Sequence, residues 1–176
     1  MTHATEDNME SWCIRPITLA DAPALLRFYQ TASAGVRAFF EPFGAGAKVT
    51  EAHIAESLRK TAAGRNIDFG VMGADGSLAG HGFIWAIDTP KPVFGIGLHE
   101  YLHGQGWGRR LMQTVLQAAD EKRLPLITLT VLKANQKAKA LYETLGFVLA
   151  GEASFREKND SWYMERRRKE QGIPPE

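Results

Sequence analysis

The stretch His99-Glu100-Tyr101-Leu102-His103-Gly104-Gln105-Gly106-Trp107-Gly108-Arg109-Arg110 concentrates the residue types that do chemistry. Its left end is a His-Glu-x-x-His pattern, in which two imidazoles one helical turn apart hold zinc and the carboxylate activates water. That chemistry needs a helix, and the preceding Pro92-Val93-Phe94-Gly95-Ile96-Gly97-Leu98 has a proline, two glycines and no helical period. Arg109 stands where the extended pattern has a third histidine, and a guanidinium does not ligate zinc. Asp120 or Glu121 could serve in the other zinc-peptidase layout, so a zinc hydrolase through His99, Glu100 and His103 stays as a minor alternative. The right end is a glycine-rich turn that opens a helix. Amides at a helix start have no intrahelical partner, and the helix dipole favours negative charge there, so this is either a cradle for phosphate or a simple strand-to-helix connection. No Lys-Ser/Thr pair follows the last glycine, which excludes a Walker loop, and neither Gly104-x-Gly106 nor Gly95-x-Gly97 completes a dinucleotide fingerprint.

The flanking elements must position this turn. Trp12 to Ile17 reads as a first strand, with Pro16 marking an edge. A helix follows Asp21, with Leu25, Leu26, Phe28 and Tyr29 on its apolar face, and Thr50 caps another that Gly64 closes. Phe39 to Gly46 between them is aromatic and breaker-rich, a loop over the core edge or a lip facing substrate. Asp68 to Met72 and Leu78 to Ile87 form a hairpin through Asp75-Gly76. Val93 to Leu98 is a short strand whose glycines predict a bulge or a close approach to its backbone. Leu111, Met112, Val115, Leu116 and Ala119 recur at helical spacing, Leu126 to Val131 is a β-branched strand, and Asn135 to Leu145 is a helix stopped by Gly146. Phe147 to Leu149 and Trp162 to Met164 are two further strands. The order β-α-α-β-β-β-α-β-α-β-β predicts an α/β (α+β) fold: a mixed, mostly antiparallel sheet of six to seven strands with helices on both faces. The strands at Val93 and Val131 are joined by a helical crossover and should run parallel, with ligand at their carboxyl ends.

In these elements the sequence resembles the GNAT superfamily of N-acetyltransferases. The loop match is His103-Gly104-Gln105-Gly106-Trp107-Gly108, and the second match runs from Asn135 through Tyr142 to Gly146-Phe147. The resemblance covers nearly the whole of residues 12–168 and implies a GNAT-like acyl-CoA N-acyltransferase fold with acetyl-CoA as cosubstrate and no metal. It implies that Gly104, Gln105, Gly106, Trp107, Gly108 and Arg109 contact the pyrophosphate. The pantetheine arm would pair with the main chain at Leu98 and His99, and Asn135 would contact the cofactor. Tyr142 would protonate the departing thiolate, although it also shares a face with Ala138 and Leu145, as a core tyrosine would. His103 replaces the usual Gln or Arg, so a fixed charge gives way to a titratable one, with weaker CoA affinity expected near pH 8 than near pH 6. No carboxylate lies between Pro92 and Leu98, and Glu100, His99, His81, Glu41 and Asp88 remain open as general base.

Composition limits the partners. The chain has 176 residues, 21 Lys+Arg against 20 Asp+Glu, a net charge of +1 and 44% hydrophobic residues. This is a globular average with no basic excess to grip nucleic acid. The acid-free run from Tyr101 to Ala119 is a local anion site within that neutrality. Lone Cys13 forms no intrachain disulfide and suits a reducing cytosol. Met1 to Ser11 is polar with three acids, unlike a signal peptide, and no apolar run reaches membrane-spanning length. The expectation is a cytoplasmic monomer or homodimer with tails at 1–11 and 169–176 and one domain at 12–168. It would acetylate a primary amine of a small molecule or peptide, or be a non-catalytic acyl-CoA-binding module of the same fold.

Overall fold

The protein is described by a computed structural model over residues 12–168. The tails expected at 1–11 and 169–176 lie outside the described residues. Strand β1 (Trp12–Pro16) leads through a 3₁₀ turn to helix α1 (Ala22–Thr31). Asp21 occupies the N-cap position of α1, but its carboxylate turns back to accept from the Thr18 amide at 2.8 Å and from Arg15 at 2.6 and 2.9 Å. The sequence pattern does not reveal α2 (Ala34–Phe39), whose N-cap Ser33 accepts from the Val36 amide. The expected loop from Phe39 therefore begins one residue later. In α3 (Glu51–Ala62), Thr50 Oγ1 accepts from the His53 amide, and Gly64 exits at φ +71°. Strands β2 (Ile67–Gly73) and β3 (Leu78–Trp85) form the hairpin, with Gly76 at φ +80° in its turn. Strand β4 (Val93–Leu98), α4 (Trp107–Glu121) and β5 (Leu126–Leu132) make the crossover. Helix α5 (Gln136–Thr144), β6 (Val148–Ala153) and β7 (Ser161–Arg167) complete the described chain.

The seven strands lie in the order β1-β2-β3-β4-β5-β7-β6, and the mixed sheet is antiparallel except at β4–β5. Two apolar layers cover it. Helix α4 buries Leu111, Met112, Val115 and Leu116 on one face against Val71, Ile84, Phe94, Ile127 and Leu129. On the other, Leu25 and Phe28 of α1 and Ile54 and Leu58 of α3 pack against Met72 and Leu78. Each such side chain contributes roughly 1.5–3 kcal/mol on full burial, so this packing fixes where the strand ends lie. No helix among the described residues is long and apolar enough to cross a membrane.

Of the bulge and the close approach expected at strand β4, the structure has the close approach. Its ladder with β3 runs from Trp85↔Val93 to Gly80↔Leu98 without a register shift, so no bulge is present on that side. Its glycines make room for rings: a Cβ on Gly95 would enter the Phe83 ring, and one on Gly97 the Phe40 ring. On the other side β4 meets β5 only at Val93↔Thr128. Beyond that pair the two parallel strands part.

Candidate active site

Ladder parity decides which β4 main-chain groups face the opening. His99 donates its amide to the Ala79 carbonyl at 2.8 Å, and antiparallel alternation then turns the amides of Gly97 and Gly95 toward β3 as well. Ile96 and Leu98 present their N–H and C=O groups to the gap. His103 Nε2 lies 3.0 Å from the Leu98 carbonyl, which only accepts, so that nitrogen carries the proton.

At the mouth of the gap, Gly106 is the N-cap of α4 in the left-handed region at φ +82°, and no side chain caps the helix. Its first backbone bond runs from Arg110 N to Gly106 O at 3.1 Å, leaving the amides of Trp107, Gly108 and Arg109 without intrahelical partners. No acidic residue occupies this first turn. The Trp107 ring is buried beneath it, with Arg110 stacked on the indole at 4.2 Å.

A cavity of about 480 Å³ joins this helix start to α5, and Leu98, His103, Gly104, Gly108, Arg109 and Asn135 line it together. Gln105, Gly106 and Trp107 frame the turn without lining that cavity, and Gln105 donates to the Tyr101 carbonyl at 2.7 Å. His99 is not brought to it. Its amide is held by Ala79, and its ring lines a separate cavity of about 780 Å³ against α1, where burial lowers its pKa. Asn135 Oδ1 caps α5 by accepting from the Ala138 amide at 3.2 Å, which leaves its Nδ2 to donate. Lys137 on the cavity wall and the Ile96 amide are additions to the residues expected from sequence. The lysine is visible within the second matched element, but the amide is revealed only by the β3–β4 register.

Tyr142 is 9% exposed and packs edge-on near Phe94 and Phe147, at centroid distances of 6.1 and 6.0 Å. Burial pushes its phenol up to about 12. The polar side-chain atoms sealed from water without a partner are Ser57 Oγ and Trp107 Nε1 among the described residues; Tyr142 Oη is not one of them.

The base candidates separate by location. His81 is 0% exposed, with Nδ1 at 2.6 Å from the Tyr29 hydroxyl and Nε2 at 2.8 Å from Asp68, so both ring nitrogens are engaged. Glu100 accepts from Ser33 Oγ at 2.8 Å beside the α1 cavity, and Asp88 pairs with Arg65 at 2.7 Å. Glu41 alone of the five lines a pocket that also contains Gly95 of β4 and Thr130 of β5. The zinc pattern does not assemble: Glu100–Leu102 is a 3₁₀ turn, and His99 and His103 line different cavities. No group of three His, Cys, Asp or Glu residues is placed to hold a metal among the described residues.

Parallel strands that part beside an uncapped helix start mark the site of this mixed α/β sheet. Residues 36–147 match the model of the Acetyltransferase (GNAT) family. The chain belongs to that family. A curated relative, the 5-NmdU N-acetyltransferase of Pseudomonas phage PaMx11, is 36% identical over 68 residues, which are 38% of this chain and 46% of that relative. The match thus spans less than half of the relative's length. Among solved structures, a GNAT-family acetyltransferase from Streptococcus pneumoniae superposes with a TM-score of 0.75 at 24% identity, covering 89% of this chain and 98% of the other. The PaiA N-acetyltransferase of Thermoplasma acidophilum, in complex with coenzyme A, gives 0.72 at 16% identity, covering 90% and 99%.

Proposed function

We propose that the protein transfers an acetyl group from acetyl-CoA to a primary amine by direct attack on the thioester. The observation that carries this reading is the convergence of the α4 amides, the free β4 edge and Asn135 on one cleft. The pyrophosphate would rest on the amides of Trp107, Gly108 and Arg109, with Arg109 and Lys137 supplying positive charge. The pantetheine arm would pair as a strand with the Ile96 and Leu98 main chain, while Asn135 Nδ2 donates to an amide oxygen. An amide on that edge would donate to the thioester carbonyl as negative charge develops on its oxygen. The neutral amine forms its N–C bond, the C–S bond breaks, and the electron pair leaves with sulfur. Tyr142 gives that sulfur a proton and regains one from water, and the nitrogen loses its extra proton to water or a base.

The setting is the cytosol, in keeping with an exposed, unpaired Cys13, and the working unit a monomer or homodimer. One observation favours a second reading, a non-catalytic acyl-CoA-binding module. Glu41, the base candidate at the gap, is held by Arg156 at 2.7 Å and by the Gly46 amide at 2.9 Å. Partial burial raises its pKa, but these bonds outweigh burial and leave the carboxyl below its ordinary value, a weak base.

Thiol release from acetyl-CoA, measured with and without a panel of amines that includes 5-NmdU, separates the two readings. Amine-dependent release supports the enzyme. Tight acetyl-CoA binding with no release for any amine would leave the binding module.

A further inference from the structure

The parted strands have two faces, and a cavity opens on each. Leu98 lines the cleft on the α4–α5 side, while Gly95 and Thr130 line a pocket of about 270 Å³ on the opposite face. A group in that pocket has β4 on one side and β5 on the other, so it approaches the same gap from the side away from the helix start.

The walls of this pocket are aromatic. Phe83 and Trp85 stack at 3.9 Å with their planes 15° apart, and Phe40 lies 6.2 Å from Phe83. The β4 glycines leave the space that the Phe83 and Phe40 rings fill. Phe39 and Phe155 close the sides. Phe155 is held in place by Asp160, which accepts from the amides of Phe155, Arg156 and Glu157 at 2.7, 2.8 and 3.0 Å. Arg156 then bonds both Glu41 and the Arg37 carbonyl, tying the β6–β7 loop to the end of α2.

Charge narrows the occupant. Among the described residues Glu41 is the only ionisable acid or base in the lining, and its charge is already answered by Arg156. A polyamine would bring a second ammonium that only the ring faces could meet, because the Glu41 carboxylate is already paired with Arg156. A peptide terminus would bring amides, for which the lining side chains beyond Glu41 offer only the Thr130 and Ser161 hydroxyls. The volume lies at the small end of ligand sites.

Resting on the acetyltransferase reading above, we infer that the acceptor is a small primary amine carried on a planar aromatic ring, which inserts among Phe39, Phe40, Phe83, Trp85 and Phe155. The ring stacks in the cage and its aminoalkyl arm points between β4 and β5, where the nitrogen forms its bond to the acetyl carbon as the C–S bond breaks.

The test compares 2-phenylethylamine and tryptamine with spermidine and a peptide bearing a free N-terminal alanine, all at fixed acetyl-CoA. The aryl amines are expected to show kcat/KM about tenfold or more above the other two, on the scale of one or two aromatic contacts. Phe39 is 51% exposed, so Phe39→Ala should leave the fold intact. It should raise KM for 2-phenylethylamine about tenfold while acetyl-CoA KM stays constant. Binding of 2-phenylethylamine in the presence of CoA should also quench an indole signal that Trp85→Phe removes. Preference for spermidine or the peptide, an unchanged KM in Phe39→Ala, or no Trp85-dependent quench would overturn the inference and leave the acetyltransferase reading standing. Failure to bind acetyl-CoA and to acetylate any amine would instead sink that reading, and the Trp85 signal would still report on the cage.

Discussion

Burial holds the Tyr142 phenol near a pKa of about 12, so it keeps its proton through neutral and mildly alkaline pH. A thiol leaving group resembles cysteine, with a pKa of about 8.5, and needs less help than an alkoxide would. Tyr142→Phe should therefore lower kcat by roughly 10–100-fold, at or below the low end for general acid catalysis, with acetyl-CoA KM nearly constant. Steady-state thiol release checks this, and an unchanged kcat would remove Tyr142 from the acid role. Tyr142 and Asn135 are nominated by the sequence because one short element displays both beside Gly146-Phe147, and of the two Asn135 lines the cleft. The Ile96 amide is not legible, since its direction depends on the parity of the ladder with β3, in which Ile96 stands opposite Gly82. The same parity turns the His99 amide toward Ala79 and away from the gap.

Helix α4 opens on a left-handed residue, and that geometry makes a prediction at the scale of the element. Gly106 sits at φ +82°, and a Cβ added there would meet nothing within 4 Å, so backbone strain alone opposes a side chain. Gly106→Ala should cost about 1–2 kcal/mol and weaken CoA binding, whereas Gly106→Asn should restore much of both because asparagine tolerates this region. Chemical denaturation and CoA titration read the two effects. The turn between β1 and α1 answers to acid. The Arg15 hydrogen bond, against some desolvation, lowers Asp21 to about 2. A depressed carboxyl stabilises the fold above its unfolded value near 4, and that contribution is lost as pH falls from about 4 through 2. Asp21→Asn should cost on the order of 1–2 kcal/mol at pH 7 and flatten the acid limb of an unfolding curve followed by circular dichroism. The longer helices are visible by their apolar period, but the six residues of α2 are too few to establish one. The β4 glycines suggest either a bulge or a close approach in the sequence, which does not show that Phe40 and Phe83 are the groups that lie across them.

Across the molecule, a net charge of +1 coexists with an acid-free helix start, and a sheet packed on both faces opens at one strand pair. The mixed sheet and the parallel β4–β5 crossover follow from the element order. The placement of β7 between β5 and β6 does not, because strand pairing across the β6–β7 loop is decided by packing and not by local pattern. The opening between β4 and β5 supports the acetyl-CoA reading, and the aromatic pocket behind it bears on the acceptor. The most direct measurement is the rate of free-thiol release from acetyl-CoA with amine present and absent, with the mass of the amine followed in parallel. Direct transfer predicts release that depends on the amine, matched one for one by an acetylated product, with no acetyl group left on the protein. A stable acetyl-protein, or release that ignores the amine, would contradict direct transfer between the two strands.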